Sequence, residues 1–199
     1  MIKENSKNKF LGGKLTILQQ REGFRAGHDS VLLASSIPAK KGDKCLELGI
    51  GAGVVSLCLM KRVPGLSVIG IDNDRDIIKL LKENISLNGF DDHISVIKGD
   101  LNDGSNKFKN LKRHSFDHIF SNPPFYEKGE IVLPKNINKR NAYYGEKDFI
   151  NNWIKLSLTF VKSKGSITFI NHMKNFPDIL SLFKLSLIHI SEPTRRTPI

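Results

Sequence analysis

Between Lys44 and Asn122 the chain alternates short apolar runs with stretches of helical periodicity, and this order restricts the fold more than any other feature. KCLELGI (44–50), LSVIGID (66–72), HISVIKGD (93–100) and SFDHIFSN (115–122) have the length and apolar content of buried strands. AGVVSLCLMKR (52–62) reads as a helix, as does RDIIKLLKENISLNG, where Ile77, Ile78, Leu81 and Ile85 recur at helical spacing. Asp74 is placed to cap that helix, and Gly89 to end it. EKDFINNWIKLSLTFVKSKG predicts a further helix closed by Gly165, with Trp153 in its core face, and GSITFINH predicts a fifth strand. Strands separated by helical segments imply a parallel sheet covered on both faces. The expected class is therefore α/β, a doubly wound Rossmann-like sheet. Its ligand belongs at the carboxyl ends of the strands, near the point where strand order reverses.

Upstream, GGKLTILQQ (12–20) alternates as a strand, REGFRAGHDS forms a loop, and VLLASSI forms a helix that stops before Pro38, capped by Asp29 or Ser30. Residues 1–40 are thus a lead-in to a main domain over 41–184. No internal repeat is visible. MIKENSKNKF lacks the apolar core of a secretory leader, and no run approaches the roughly 18 apolar residues of a membrane span. Cys45 and Cys58 lie in apolar stretches without metal-ligand spacing, so they predict small buried residues of a cytoplasmic protein and no metal site. The formal net charge of +11 suits a polyanionic partner such as nucleic acid, although a Lys-rich composition throughout would produce the same excess. KFKNLKR (107–113) and the group Lys135, Lys139 and Arg140 are the local clusters, each readable as an RNA contact or as a solvated face.

The first strand runs into ELGIGAGV, where Gly49, Gly51 and Gly53 alternate. A G-x-G-x-x-G fingerprint is absent, because the third glycine would have to fall at Val54 or Ser56. That disfavours a pyrophosphate cradle. The G-x-G-x-G form resembles motif I of class I S-adenosylmethionine methyltransferases. That resemblance implies S-adenosyl-L-methionine as cofactor, near Glu47 and the three glycines. A helix starting at Ala52 would favour the ligand's carboxylate. Asp72 ends the second strand and can accept from both ribose hydroxyls, since an ionised Asp only accepts. The same resemblance sets Asp100 and Leu101, after the third strand, beside the adenine.

The fourth strand ends in SNPPFY. Asn122-Pro123-Pro124-Phe125 resembles the [N/D]-P-P-[F/Y/W] motif of methyltransferases acting on exocyclic or amide nitrogens. An adenine amino group is a poor nucleophile because its lone pair is delocalised into the ring. Acceptors near its two N–H bonds, here the Asn122 side-chain oxygen and the Pro123 carbonyl, orient it and favour a pyramidal nitrogen. The two prolines stiffen the corner, and Phe125 can stack on the base, a contact worth about 1–3 kcal/mol in single-strand binders.

QQREGFRAGHDSVLLAS (19–35) resembles the lead-in of the bacterial tRNA(Val) adenine N6-methyltransferase family. That likeness implies N6-methylation of an adenine beside the anticodon, a tRNA partner, no membrane, and a monomer. It puts Arg25 and Asp29 near the site's mouth, with Tyr126, Lys139 and Arg140 as further substrate contacts. For Arg25 and Asp29, a loop charge and a helix cap are equally good readings. Ribosomal-RNA guanine N2-methyltransferases and release-factor glutamine N5-methyltransferases share the chemistry, and a non-catalytic RNA binder could keep the scaffold. The final LSLIHISEPTRRTPI (185–199) resembles a translated sequencing adapter, so it is expected to be a non-native tail, leaving the sheet truncated at its C-terminal side.

Overall fold

A computed structural model of the chain describes residues 5–21, 25–123, 146–171 and 173–188. Strand β1 (Asn5–Phe10) turns through Leu11–Gly13 and pairs antiparallel with β2 (Leu15–Gln20), with Phe10 opposite Leu15 and Asn5 opposite Gln20. β2 follows the expected alternation, with Leu15, Ile17 and Gln19 buried. β1 was not expected, since NSKNKF carries no apolar alternation. Its backbone pairing with β2 makes it a strand, and none of its residues is fully buried.

Helix α1 (His28–Ser36) begins after Gly27 with no side-chain cap, so neither Asp29 nor Ser30 caps it. Asp29 lies exposed in the first turn and Ser30 is buried. The main sheet follows: β3 (Lys44–Leu48), α2 (Val54–Arg62), β4 (Ser67–Asp72), α3 (Arg75–Leu87), β5 (Ile94–Lys98) and β6 (Phe116–Ser121). Then come α4 (Glu146–Phe160), β7 (Val161–Phe169) and α5 (Phe176–Ile188). All pairings in this sheet are parallel, in the order β5-β4-β3-β6-β7. The order reverses between β3 and β6.

Helices cover both faces, as a fully buried parallel sheet requires. Cys45, Phe120 and Val68 join α1, α2, α3 and β2 in one core. Leu46, Leu48 and Ile119 join Trp153, Leu156 and Phe160 of α4 in the other. At the amino-terminal edge, His118 Nε2 meets Asp43 at 2.9 Å and Nδ1 meets Ser166 at 2.8 Å, tying β6 and β7 to the chain entering β3.

Asp74 caps α3 as expected, its carboxylate accepting from the Asp76 and Ile77 amides. The buried stripe of α3 is displaced from expectation. Leu80, Leu81, Asn84 and Ile85 are buried, whereas Ile77 and Ile78 are half-exposed. Asn84 is fully buried because it works on β2. Its oxygen accepts from the Leu18 amide at 2.7 Å, and its nitrogen donates to the Leu18 and Ala52 carbonyls, each at 2.9 Å. One turn later Asn88 does the same to Thr16, at 3.0 Å and 2.8 Å. Four residues rise about 6 Å along a helix, and two residues span about 6.8 Å along a strand. An i, i+4 asparagine pair therefore matches the repeat of a strand edge and serves β2 as a second partner.

α4 ends at Phe160, five residues before the expected Gly165 stop. Phe160 packs edge-on against Phe116, with ring centroids 6.5 Å apart, and Val161 already pairs with Phe116. The chain enters β7 there and absorbs Lys162–Gly165 in an irregularity before His118 pairs with Ser166. The boundary expected at Lys184 falls inside α5, which packs on α4 and continues to Ile188. The first residues of the expected tail are thus helical as far as Ile188.

Candidate active site

Sheet register sets the site. Leu48 pairs with Ser121, so the residues that follow, Gly49 and Asn122, leave adjacent strands at the reversal point. The Ser121 hydroxyl donates to the Leu48 carbonyl at 2.6 Å in a buried position, which locks the two strand ends together. Gly49 and Ile50 donate to the Ile71 carbonyl at 2.9 and 3.0 Å, and Gly99 donates to the Asp72 carbonyl at 2.9 Å. The carboxyl ends of β3, β4, β5 and β6 thus form one rigid rim.

The alternating glycines differ in what surrounds them. A Cβ on Gly49 would lie 2.7 Å from the Trp153 ring, so the loop needs glycine there to pass beneath the indole. A Cβ on Gly53 would meet Leu81 of α3 at 2.4 Å. Gly51 has a φ of 56° with nothing within 4 Å of its missing Cβ, so that side of the loop is open. The Gly51 amide donates to Asp72 Oδ2 at 2.9 Å, and Asp72 Oδ1 accepts from the Asp74 amide at 3.0 Å. Burial raises the pKa of Asp72, and these backbone hydrogen bonds work against that rise. Each carboxylate oxygen keeps acceptor capacity after one such bond.

Asp100 accepts from the Asn102 amide at 2.9 Å and from Asn73 Nδ2 at 3.2 Å, a link between the ends of β4 and β5. Leu101 buries its side chain in the core beside α4. Only its backbone is left to meet a ligand.

Glu47 is 1% exposed and accepts from the Ser56 hydroxyl, so it sits between β3 and α2. Glu47 is expected as a cofactor contact, and in this structure its carboxyl supports the start of α2 from below. Burial pushes its pKa from 4.5 up to about 8, and the Asp72 charge adds to the rise. The folded state therefore holds this proton more tightly than the unfolded chain does. Stability is full below about pH 4.5 and declines as pH rises toward 8. Glu47→Gln keeps a partner for Ser56 and removes the titration. Urea unfolding from pH 5 to 8 will show a decline for the wild type that is flatter in the variant; parallel profiles would assign the pH dependence to other groups.

Asn122 is half-exposed as a residue, yet its Oδ1 is buried and has no hydrogen-bond partner among the described residues. Pro123 is buried and lines a small pocket with Ile150, Trp153, Ile154, Phe169 and Asn171. Trp153, expected only as core, is 4% exposed and contributes to both this pocket and the wall over Gly49. A single tryptophan on an amphipathic helix gives no sequence signal for that second role. Ser121 and Asn73 were likewise missed, because nothing in the sequence pairs them across strands.

Arg25 is exposed, and its guanidinium donates to Asn8 Oδ1 at 3.1 Å, which ties it to the β1–β2 hairpin. Among the described hydrogen bonds, none joins Arg25 or Asp29 to Gly49–Gly53, Asp72 or Asn122. Pro124, Phe125, Tyr126, Lys139 and Arg140 lie outside the described residues. Among the described residues, no group of His, Cys, Asp and Glu could hold a metal ion, and no helix is long and apolar enough to cross a membrane.

A tRNA1(Val) (adenine(37)-N6)-methyltransferase of Tolumonas auensis is 28% identical over 131 residues, covering 65% of this chain and 52% of that protein. One of the same name from Porphyromonas gingivalis is 35% identical over 112 residues, covering 52% of this chain and 42% of that protein. The chain thus spans about half the length of these curated relatives. Among solved structures, TrmN from Thermus thermophilus superimposes with a TM-score of 0.58 at 16% identity, covering 77% of this chain and 40% of that one. An S-adenosylmethionine-dependent O-methyltransferase of Thermotoga maritima gives 0.57 at 16% identity, covering 83% and 52%. These two likenesses establish the α/β methyltransferase fold. The sequence pattern of the methyltransferase small domain matches residues 25–140, from the loop before α1 past the Asn122 corner. That is more than half of the chain, and the chain belongs to the methyltransferase small domain family.

Proposed function

We propose that this chain is an S-adenosylmethionine-dependent N-methyltransferase that acts on N6 of an adenine in tRNA, the adenine beside the anticodon of a valine tRNA. The observation that carries the proposal is the Asn122 oxygen. A buried amide oxygen without a donor costs about 1–3 kcal/mol, and here it stands at the reversal point of the sheet, one residue past Ser121, which pairs with Leu48 at the end of the strand that carries the glycine loop. An incoming amino N–H supplies the missing donor.

The residues present fit the cofactor. Gly51 leaves one side of the loop open, Asp72 retains acceptor capacity for two hydroxyls, and Asp100 stands at the next strand end. When bound, the cofactor supplies an already activated methyl group. The protein's task is then mainly to position the amine, an effect worth up to about 7–11 kcal/mol in ideal cases. Asn122 Oδ1 and the Pro123 carbonyl hold the two N–H bonds and favour the geometry in which the nitrogen lone pair is free. They also stabilise the positive charge that develops on nitrogen. The proton leaves to water, so no dedicated strong base is needed. The formal charge of +11 suits a polyanionic substrate, and the names of the curated relatives support tRNA and N6.

The test is mass spectrometry of nucleosides from tRNA incubated with the protein and S-adenosylmethionine. N6-methyladenosine beside the anticodon is the expected product. N2-methylguanosine would move the reading to guanine, and the absence of any methylated nucleoside would reject the activity.

A further inference from the structure

The connection from β5 to β6 is not part of the rim described above, yet it concentrates charge. It leaves the carboxyl edge at Asp100, passes through two short turns, Leu101–Asp103 and Ser105–Phe108, and returns to the amino edge at Phe116. Lys109, Lys112 and Arg113 on this path are all exposed and line one groove of about 360 Å³. Its floor is rigid, since Phe108, Leu111 and Phe160 are packed into the core between the sheet and α4. Phe108 is held close beneath Gly99, where a Cβ would lie 2.5 Å from its ring. The three cations thus stand on a fixed base.

Acids within the same stretch do not neutralise them. Asp103 faces Lys107 at 3.9 Å. Asp117 accepts from Lys162 at 2.7 Å and from the Lys44 amide at 2.8 Å, and these partners hold its pKa down against a burial effect that would raise it. Among the described residues, Lys109, Lys112 and Arg113 take part in no ion pair. The polar groups of Ser105 and Asn106 line the same groove and can add neutral hydrogen bonds to an oxyanion. A groove with fixed cations, neutral donors and no free carboxylate suits consecutive phosphates of a nucleic-acid backbone, which bind by charge and carry no base information.

The geometry points to the Lys109–Lys112–Arg113 groove as the surface that docks the tRNA sugar-phosphate backbone while a distant nucleotide occupies the Asn122 site. The inference rests on the tRNA reading above. It extends that reading from the reacting base to the part of the substrate that supplies affinity. The path that carries the groove begins beside Asp100 and follows the flank of the sheet toward its amino edge at Phe116.

The test measures unfractionated tRNA binding to the full chain by fluorescence anisotropy between about 50 and 200 mM salt. The variant is Lys109→Gln/Lys112→Gln/Arg113→Gln. The control is Lys7→Gln/Lys40→Gln/Lys61→Gln, which removes the same charge from exposed positions elsewhere. All six side chains are exposed, and thermal melts will verify that both proteins remain folded. Three lost phosphate contacts should lower the slope of log K against log salt by about 2–3, with at least tenfold weaker binding near 100 mM. The control should change the slope by less than one.

Equal slopes for variant and control would overturn the inference and leave tRNA methylation untouched. RNA binding that depends on the three residues, without any methylated nucleoside, would support the groove and reject the activity. No RNA binding by the wild type would overturn the groove itself.

Discussion

Asn122→Ala will lower methyl transfer about 100- to 1,000-fold, the usual cost of deleting one preorganised acceptor or donor at a reacting centre. The reason is local. The Asn122 oxygen is buried without a partner, and the Ser121–Leu48 hydrogen bond fixes its backbone relative to the glycine loop. Alanine removes the oxygen and leaves the strand ends as they were. Affinity for S-adenosylmethionine should therefore stay within a few-fold, because Gly51, Asp72 and Asp100 are unaffected. Single-turnover kinetics and calorimetry separate the two quantities. Methyl transfer at the wild-type rate would remove Asn122 from the chemistry. A matching collapse of cofactor affinity would mean that it holds the cofactor instead.

Asn84→Ala will destabilise the protein by about 3 kcal/mol. It strips partners from the Leu18 amide, the Leu18 carbonyl and the Ala52 carbonyl at once, and each buried group left unpaired costs about 1–3 kcal/mol. For a chain of this size the melting temperature should fall by roughly 6–12 °C. Asn84→Asp retains an acceptor for the Leu18 amide but turns a carboxylate toward two carbonyls, so it should be no milder. Asn88→Ala should cost less, because Asn88 is only half-buried. A melting temperature within 2 °C of the wild type for Asn84→Ala would show that the hairpin does not depend on this bracket. Because Ala52 belongs to the glycine loop, the same variant should also weaken S-adenosylmethionine binding by more than the Asn88 variant does.

The two residues differ in how visible they were beforehand. Asn122 stands in Asn-Pro-Pro-Phe, four consecutive letters whose resemblance to a motif of nitrogen-methylating enzymes singled it out. Asn84 sits in an amphipathic helix, where an asparagine between Leu81 and Ile85 gives no sign of being buried. Its partner strand lies 66 positions away. The same contrast separates Asp74, whose cap follows from its neighbours, from Glu47, whose place beside the glycine loop suggested a ligand contact. Its side chain instead turns toward Ser56. Gly49 and Gly53 were recognisable as a loop signature. That one glycine makes way for an indole from α4 and the other for a leucine from α3 depends on where those helices pack.

Local periodicity was enough to establish the strand–helix alternation, the parallel sheet and the order of the loops at its carboxyl edge, since each depends on neighbours within a few residues. Tertiary packing decided the β1–β2 hairpin, the asparagine bracket on α3, the early end of α4 and the second role of Trp153. These depend on hydrogen bonds and side-chain contacts between segments far apart in the chain. Such contacts form only after the sheet has brought those segments together, and no pattern of adjacent residues encodes them.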